Sequence, residues 1–221
     1  VTIVAKTLGK TLGTPPRQIL SGIDCTINDG DFIAISGRSG SGKSTLLYVL
    51  STLDHPSSGS LMLDGKETTA LERAELYRLR NEKIGFVFQF HYLLPELSAL
   101  ENVLMPARKH GITPVHEDRA RKLLGEFGLH DKHARRPSQL SGGEQQRVAI
   151  ARALVMEPRY IFADEPTGSL DSENGRKVMD ILQAANSDRG ATLVLVTHEP
   201  DYARLARSEI TLLDGHIIDR R

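Results

Sequence analysis

Gly37-Arg38-Ser39-Gly40-Ser41-Gly42-Lys43-Ser44 has the spacing G-x-x-x-x-G-K-S and lies between a strand-like apolar run, Phe32 to Ser36, and an apolar helical run through Leu46, Leu47 and Leu50. Glycines so placed let successive backbone N–H groups turn inward on phosphate oxygens, and the start of the following helix adds its dipole. Lys43 puts a cation near the terminal phosphates, and the Ser44 hydroxyl suits Mg²⁺. A Gly/Ser-rich surface turn would not need the flanking strand and helix, so the segment is expected to bind a nucleotide. Tyr160-Ile161-Phe162-Ala163 is a second apolar run, and it ends in two carboxylates, Asp164 and Glu165. Ligands collect at the carboxyl ends of parallel strands. Asp164 therefore fits a metal-holding aspartate beside a phosphate loop, and Glu165 can take a proton from water attacking a γ-phosphate. Taken alone, this pair reads equally well as an acidic turn before Pro166. Ser141-Gly142-Gly143, at the start of another helical run, is a second anion-binding helix end, with a hydroxyl and free N–H groups expected to face outward. One nucleotide hardly needs two such cradles.

The elements that must position these groups follow from the apolar pattern. Phe32 to Ile35, Ile84 to Phe88, Tyr160 to Ala163 and Leu193 to Val196 are short and nearly continuous, as strands covered on both faces of a parallel sheet are. Ile19 to Ile27 and Leu61 to Leu63 are more interrupted and end in turn signals, Asn28-Asp29-Gly30 and Asp64-Gly65, which predicts a flanking antiparallel layer. Thr14-Pro15-Pro16 reads as a hairpin loop. From about Pro95 to Glu157 the strand signal vanishes and helical spacing takes over. One helix is predicted to begin at Thr113 or Pro114, with Leu123, Leu124 and Phe127 on one face. Another follows Ser141 and is stopped by Pro158. The expected fold is thus α/β: a P-loop NTPase fold with a mainly parallel sheet core, an N-terminal antiparallel β layer and an inserted α-helical subdomain. The expectation is one nucleotide-binding domain over 1–221 with the helical part at about 95–157.

Composition narrows the function classes. In 221 residues, 28 Lys and Arg balance 28 Asp and Glu, for a formal net charge of 0. This argues against a surface built to coat nucleic acid or anionic lipid. With 39% hydrophobic and 25% charged residues the chain is globular, and the single cysteine, Cys25, has no partner for an internal disulfide. No apolar run approaches the roughly 18 to 20 residues that cross a bilayer, and Val1 opens into strand-like sequence without a leader pattern. Cytosolic residence is the simplest expectation, and a membrane would be served from the side. His130 and His133 lack further placed ligands and read as a solvated face rather than a metal site.

Leu140-Ser141-Gly142-Gly143-Glu144-Gln145-Gln146-Arg147, with the two elements above, resembles the signature of the ATP-binding-cassette ATPases, and the resemblance covers essentially the whole chain. In it Gln89 matches the Q-loop residue, Ser169-Leu170-Asp171 the D-loop and His198 the switch histidine. A lone histidine is more often structural, but one at the end of a buried strand can reach a γ-phosphate. The resemblance implies a homodimeric Mg-ATPase whose chains pack head to tail. ATP is then held by Gly37, Arg38, Ser39, Gly40, Ser41, Gly42, Lys43, Ser44 and Thr45, and covered by Ser141, Gly142, Gly143 and Asp171. Glu165, His198 and Gln89 are the implied catalytic residues, and Ser44, Gln89 and Asp164 the implied Mg²⁺ donors. Two departures stand out: Leu12 falls where an adenine-stacking aromatic is expected, and Ser169 where Asn is common.

Gln89-Phe90-His91-Tyr92-Leu93-Leu94-Pro95, Leu100-Glu101-Asn102-Val103 and Asp164-Glu165-Pro166-Thr167-Gly168 resemble the branch of lipoprotein-releasing, macrolide-exporting and cell-division cassettes. The implied role is to drive a separate membrane permease, of lipoprotein-release or macrolide-export type, from the cytoplasmic face of the inner cell membrane, peripheral through that permease. Phe90, Tyr92, Leu93 and Leu94 line the groove for a permease helix or, on the plainer reading, pack the helical subdomain. A cell-division-type ATPase that serves envelope machinery without transport is the alternative. A DNA-repair ATPase of the superfamily ranks last, because no coiled-coil heptads separate the phosphate loop from Ser141, and no nucleic-acid partner is expected.

Overall fold

A computed structural model of the chain describes residues 2–221, so Val1, where the reading of a missing leader begins, lies outside the described residues. In chain order the elements are β1 (Thr2–Leu12), β2 (Arg17–Asn28), β3 (Phe32–Gly37), α1 (Lys43–Leu50), β4 (Ser58–Leu63), β5 (Lys66–Glu67), α2 (Arg73–Lys83), β6 (Ile84–Phe88), α3 (Ala99–Leu104), α4 (Pro114–Glu126), α5 (Gly142–Leu154), β7 (Tyr160–Asp164), α6 (Ser172–Ser187), β8 (Thr192–Val196), α7 (Pro200–Ala203), β9 (Ser208–Leu213) and β10 (His216–Arg220). They build a four-stranded sheet in the order β2-β1-β4-β5 and a six-stranded sheet in the order β10-β9-β3-β8-β7-β6. The first is antiparallel throughout, whereas in the second every pairing from β9 to β6 is parallel and only β10 runs against its neighbour.

Residues of β3, β7 and β8 alternate between two apolar clusters, which is why these strands read as continuous apolar runs. Ile33, Ile35, Phe162, Val194 and Val196 face α1 and the antiparallel sheet. Phe32, Ile161, Ala163, Leu193 and Leu195 face the other way, onto a cluster that takes in Val103, Leu123, Leu124, Phe127, Val148 and Leu182. The helices between β6 and β7 therefore bury their apolar stripes in the same cluster as one face of the parallel sheet. Their starts are written locally. Thr113 accepts from the His116 amide before Pro114 takes the first helical position, and Ser98 and Glu101 form a reciprocal capping box at α3. One boundary differs from expectation: α5 ends at Leu154, ahead of Pro158, because the chain turns at Glu157, which sits at φ 52° in the left-handed region.

Candidate nucleotide-hydrolysis site

Parallel register makes the site. Ile35 of β3 pairs with Val196 of β8, Val196 pairs with Asp164 of β7, and Asp164 pairs with Phe88 of β6. The next residues along each strand leave the sheet at one carboxyl edge. The loop from Gly37, His198, Glu165 and Gln89 are brought to that edge from stretches of chain far apart in sequence.

The loop from Gly37 to Gly42 is shaped by its glycines at two points. Gly37 has φ 136°, and a Cβ there would lie 2.2 Å from the Leu212 carbonyl oxygen; Gly42 has φ 102° and packs against Ile19 and Leu20. Nothing lies within 4 Å of a Cβ placed on Gly40, so the loop opens there. The Lys43 ammonium is buried within the loop and donates to the carbonyls of Gly37 (3.0 Å) and Arg38 (3.1 Å). The Ser41 amide donates to the Arg38 carbonyl, and the Ser41 hydroxyl is buried with no hydrogen-bond partner among the described residues. Arg38 and Ser39 are exposed, and Thr45 is half-buried in the first turn of α1.

Asp164 closes β7 at 8% exposure. The Ser44 hydroxyl donates to Oδ1 at 3.0 Å, and the Tyr48 hydroxyl donates to Oδ2 at 2.8 Å. Burial pushes its pKa up, opposed by the hydrogen bonds from Tyr48 and Ser44. Glu165 follows at φ 45°, a left-handed conformation locked by its amide donating to the Val196 carbonyl at 2.9 Å. That turn carries its carboxylate to the β8 side, where Oε2 lies 3.2 Å from His198 Nδ1. Glu199 accepts from the Thr167 hydroxyl at 2.7 Å, and its own amide donates to the Thr197 hydroxyl at 3.1 Å, so the segments after β7 and β8 are tied together.

Among the expected metal donors, Ser44 and Asp164 meet. None of the hydrogen bonds among the described residues joins the Gln89 side chain to either of them. Instead the side-chain amide lies over Gly168, where a Cβ would sit 2.9 Å from Nε2, and the Gln89 backbone carbonyl accepts from Ser169 Oγ at 3.3 Å. Ser169, where the resemblance implies Asn, thus ties the Ser169-to-Asp171 segment to Gln89 within one chain. The Asp171 carboxylate is engaged locally: it caps α6, accepting from the Asn174 amide (2.9 Å) and from Asn174 Nδ2 (2.8 Å).

The Ser141 tip differs from expectation. Ser141 and Gly142 are exposed, but Gly143 is buried against Asn174 of α6. Nor are all its groups free, because Ser141 Oγ accepts from the Glu144 amide at 3.3 Å and the Ser141 amide donates to Glu144 Oε2 at 2.7 Å. Burial at Gly143 leaves Ser141 and Gly142 as the outward part of the cradle. Of the four apolar residues after Gln89, Phe90 and Tyr92 are each 65% exposed and Leu94 41%, whereas Leu93 packs on the core. The packing reading therefore holds for Leu93 and leaves the other three at the surface. Leu12 is exposed at the end of β1.

Several contributors were not legible in the sequence. Tyr48 lies one helical turn after Ser44, so i,i+4 spacing was the available signal. Gln146 is fully buried on α5 and donates to the carbonyls of Phe88 (3.0 Å) and Pro166 (2.8 Å), bridging the ends of β6 and β7; a polar residue at core spacing was its signal. Arg152 donates to the carbonyls of His91 and Tyr92, both at 2.7 Å, and clamps the backbone after Gln89.

A family model described as ABC transporter matches residues 20–168. A lipoprotein-releasing system ATP-binding protein, LolD, from Leptospira interrogans is 51% identical over 211 residues, 96% of this chain and 88% of that protein. A macrolide export ATP-binding/permease protein, MacB 1/2, from Paracoccus denitrificans is 50% identical over 92% of this chain, which spans 31% of that longer protein. A solved dimeric ATP-binding cassette in a post-hydrolysis state, bound to ADP and Pi, superimposes with a TM-score of 0.91 at 40% identity, covering 99% of this chain and 97% of that one.

Proposed function

The chain belongs to the ABC transporter family and is its ATP-hydrolysing cassette, and from that premise we propose a head-to-tail homodimer that drives a membrane permease of the lipoprotein-release or macrolide-export kind. The observation that carries the catalytic reading is the single carboxyl edge on which the Gly37 loop, Asp164, Glu165 and His198 converge, with Glu165 Oε2 3.2 Å from His198 Nδ1. Backbone amides of the loop and Lys43 bind the phosphates. Glu165 accepts the proton of the attacking water, and His198, held beside it, orients that carboxylate and the water.

The donors available for a metal are oxygens only, the Ser44 hydroxyl and the Asp164 carboxylate, with the Gln89 amide oxygen as the third expected ligand. Among the described residues no cluster of three or more His, Cys, Asp or Glu competes with them. Such a hard, sparse set fits Mg²⁺, which is bound through few protein groups together with substrate phosphates. Bound there, the ion would neutralise charge on the phosphate oxygens as the terminal bond breaks.

Ser141 and Gly142 are exposed on a helix end that the chain's own phosphate loop has no use for, and this supports their covering the nucleotide of a second copy. Phe90, Tyr92 and Leu94, exposed beside the half-buried Gln89, are the docking residues we assign to the permease, with Leu93 anchoring them from the core side. No helix among the described residues is long and apolar enough to cross a membrane, and the cytoplasmic face of the inner membrane is the place at which such a cassette meets its permease.

Glu165→Gln tests the whole. It removes the proton acceptor while keeping shape, so turnover should fall by about a hundredfold or more, while ATP with Mg²⁺ should drive the variant into a dimer seen by size-exclusion chromatography with light scattering. A variant that releases phosphate at the wild-type rate, or stays monomeric both alone and with its copurified permease, overturns this reading.

A further inference from the structure

From the contacts of α1 we infer that Tyr48 is a positioning residue for the metal carboxylate, holding Asp164 Oδ2 so that Oδ1 stays turned toward Ser44. This rests on the reading of Asp164 as a metal donor. Rotation of a carboxylate about its last bond is soft and roughly two-fold, so the backbone of β7 does not fix which way the Asp164 oxygens point. Donors must do so. Ser44 and Tyr48 stand one helical turn apart on α1 and reach the two oxygens separately, Ser44 at 3.0 Å on Oδ1 and Tyr48 at 2.8 Å on Oδ2. At 8% exposure the carboxylate has little water to replace either one.

The tyrosine is itself held. Its ring meets Phe88 edge to face, with centroids 6.4 Å apart and planes at 61°, and Phe88 stacks on Phe86 at 5.9 Å. Phe88 is also the register partner of Asp164 across β6 and β7. Ring, strand pair and carboxylate thus close a loop that places the hydroxyl on Oδ2. Removing the outer-shell partner of a metal ligand typically weakens metal binding by about ten- to a hundredfold without touching the ligand itself.

Tyr48→Phe tests this, since it keeps the ring against Phe88 and deletes only the donor. Mn²⁺ binding to the ADP-loaded protein, followed by electron paramagnetic resonance, should weaken by about tenfold, while the affinity for ADP without metal, measured by calorimetry, should be unchanged. Mn²⁺ affinity within about twofold of wild type, or an equal loss of metal-free ADP affinity, overturns the assignment. Asp164→Asn run in parallel separates the two readings. If it loses Mn²⁺ and Tyr48→Phe does not, the tyrosine's role alone falls; if it binds Mn²⁺ like wild type, the metal role of Asp164 falls with it.

Discussion

The carboxyl edge of the parallel sheet and the tip of α5 are both anion-seeking, yet they are built in opposite ways. At the edge, groups from different stretches fix one another, Ser44 with Asp164 and Glu165 with Val196 and His198, while Lys43 is held by its own loop. At the tip, Ser141 is fixed by neighbours on its own first turn, Glu144 and Gln145, and the bracing comes from behind, where Gly143 meets Asn174. The first arrangement holds reacting groups in place through the protein's own contacts, as electrostatic preorganisation requires. The second leaves one face open and supported, which suits a surface that must close on a second molecule.

Lys43 gives the strongest test of that contrast, because its charge is buried at the edge and nothing at the tip can stand in for it. Lys43→Ala removes a charge-assisted bond to phosphate of about 1.5 to 3 kcal/mol, so ATP affinity should fall by about ten- to a hundredfold. Isothermal titration with ATP and Mg²⁺ measures it. An unchanged affinity would mean that the loop amides alone bind the phosphates and that the edge is less interdependent than its geometry indicates.

The two regions are joined by Gln146, which starts on the tip's own helix and ends on the carbonyls of Phe88 and Pro166 at the edge. Gln146→Leu fills the volume but orphans two buried carbonyls, at a cost of about 1 to 3 kcal/mol for each that water cannot reach. Urea denaturation should show the lowered midpoint with little change in slope. ATPase activity should drop further than the stability loss explains, because the segments carrying Gln89 and Glu165 lose their common tie. Wild-type activity in the folded variant would show that α5 supports the edge only as packing.

What could be read from the sequence divides along the same line. The phosphate loop was legible because its chemistry is contiguous: glycine spacing, lysine and hydroxyl all fall within eight residues. The parallel strands were legible because burial on both faces leaves an unbroken apolar run. Tyr48, Gln146 and Arg152 were not, because each acts on a backbone or side-chain atom that only strand register brings near. The burial of Gly143 is not legible either, because the sequence shows a helix start but not the helix behind it. The apolar residues after Gln89 allow two readings for a related reason: which of them pack and which are exposed is set where the chain turns, with Tyr92 at φ 45°.

Gly143→Ala sharpens the account of the tip. A Cβ there would lie 2.5 Å from Asn174 Cγ and Oδ1, so the asparagine must leave its place, and with it the bonds to Asp171 and Arg147. Overpacking of this kind costs about 1 to 3 kcal/mol. Thermal unfolding should register the loss, and in the double variant Gly143→Ala/Asn174→Ala part of it should be recovered. Strict additivity of the two substitutions would show that they do not share the contact.

The smallest effect concerns Asp171, the cap behind the tip. Hydrogen bonds from the Asn174 backbone amide and then from its side chain hold the Asp171 carboxyl below the usual carboxylate range. Its folded form therefore binds fewer protons than its unfolded form, and the stability it contributes is present above the ordinary aspartate value. That contribution is lost as pH falls through the lower folded value, over a window that begins near pH 4. Asp171→Asn keeps an acceptor suited to the cap position but removes the titration. Thermal midpoints of the two proteins should differ slightly at neutral pH, with the wild type higher, and converge as the pH is lowered below about 4. Curves that stay parallel throughout would assign the cap's value to geometry alone, and the tip would then owe nothing to charge on its inner side.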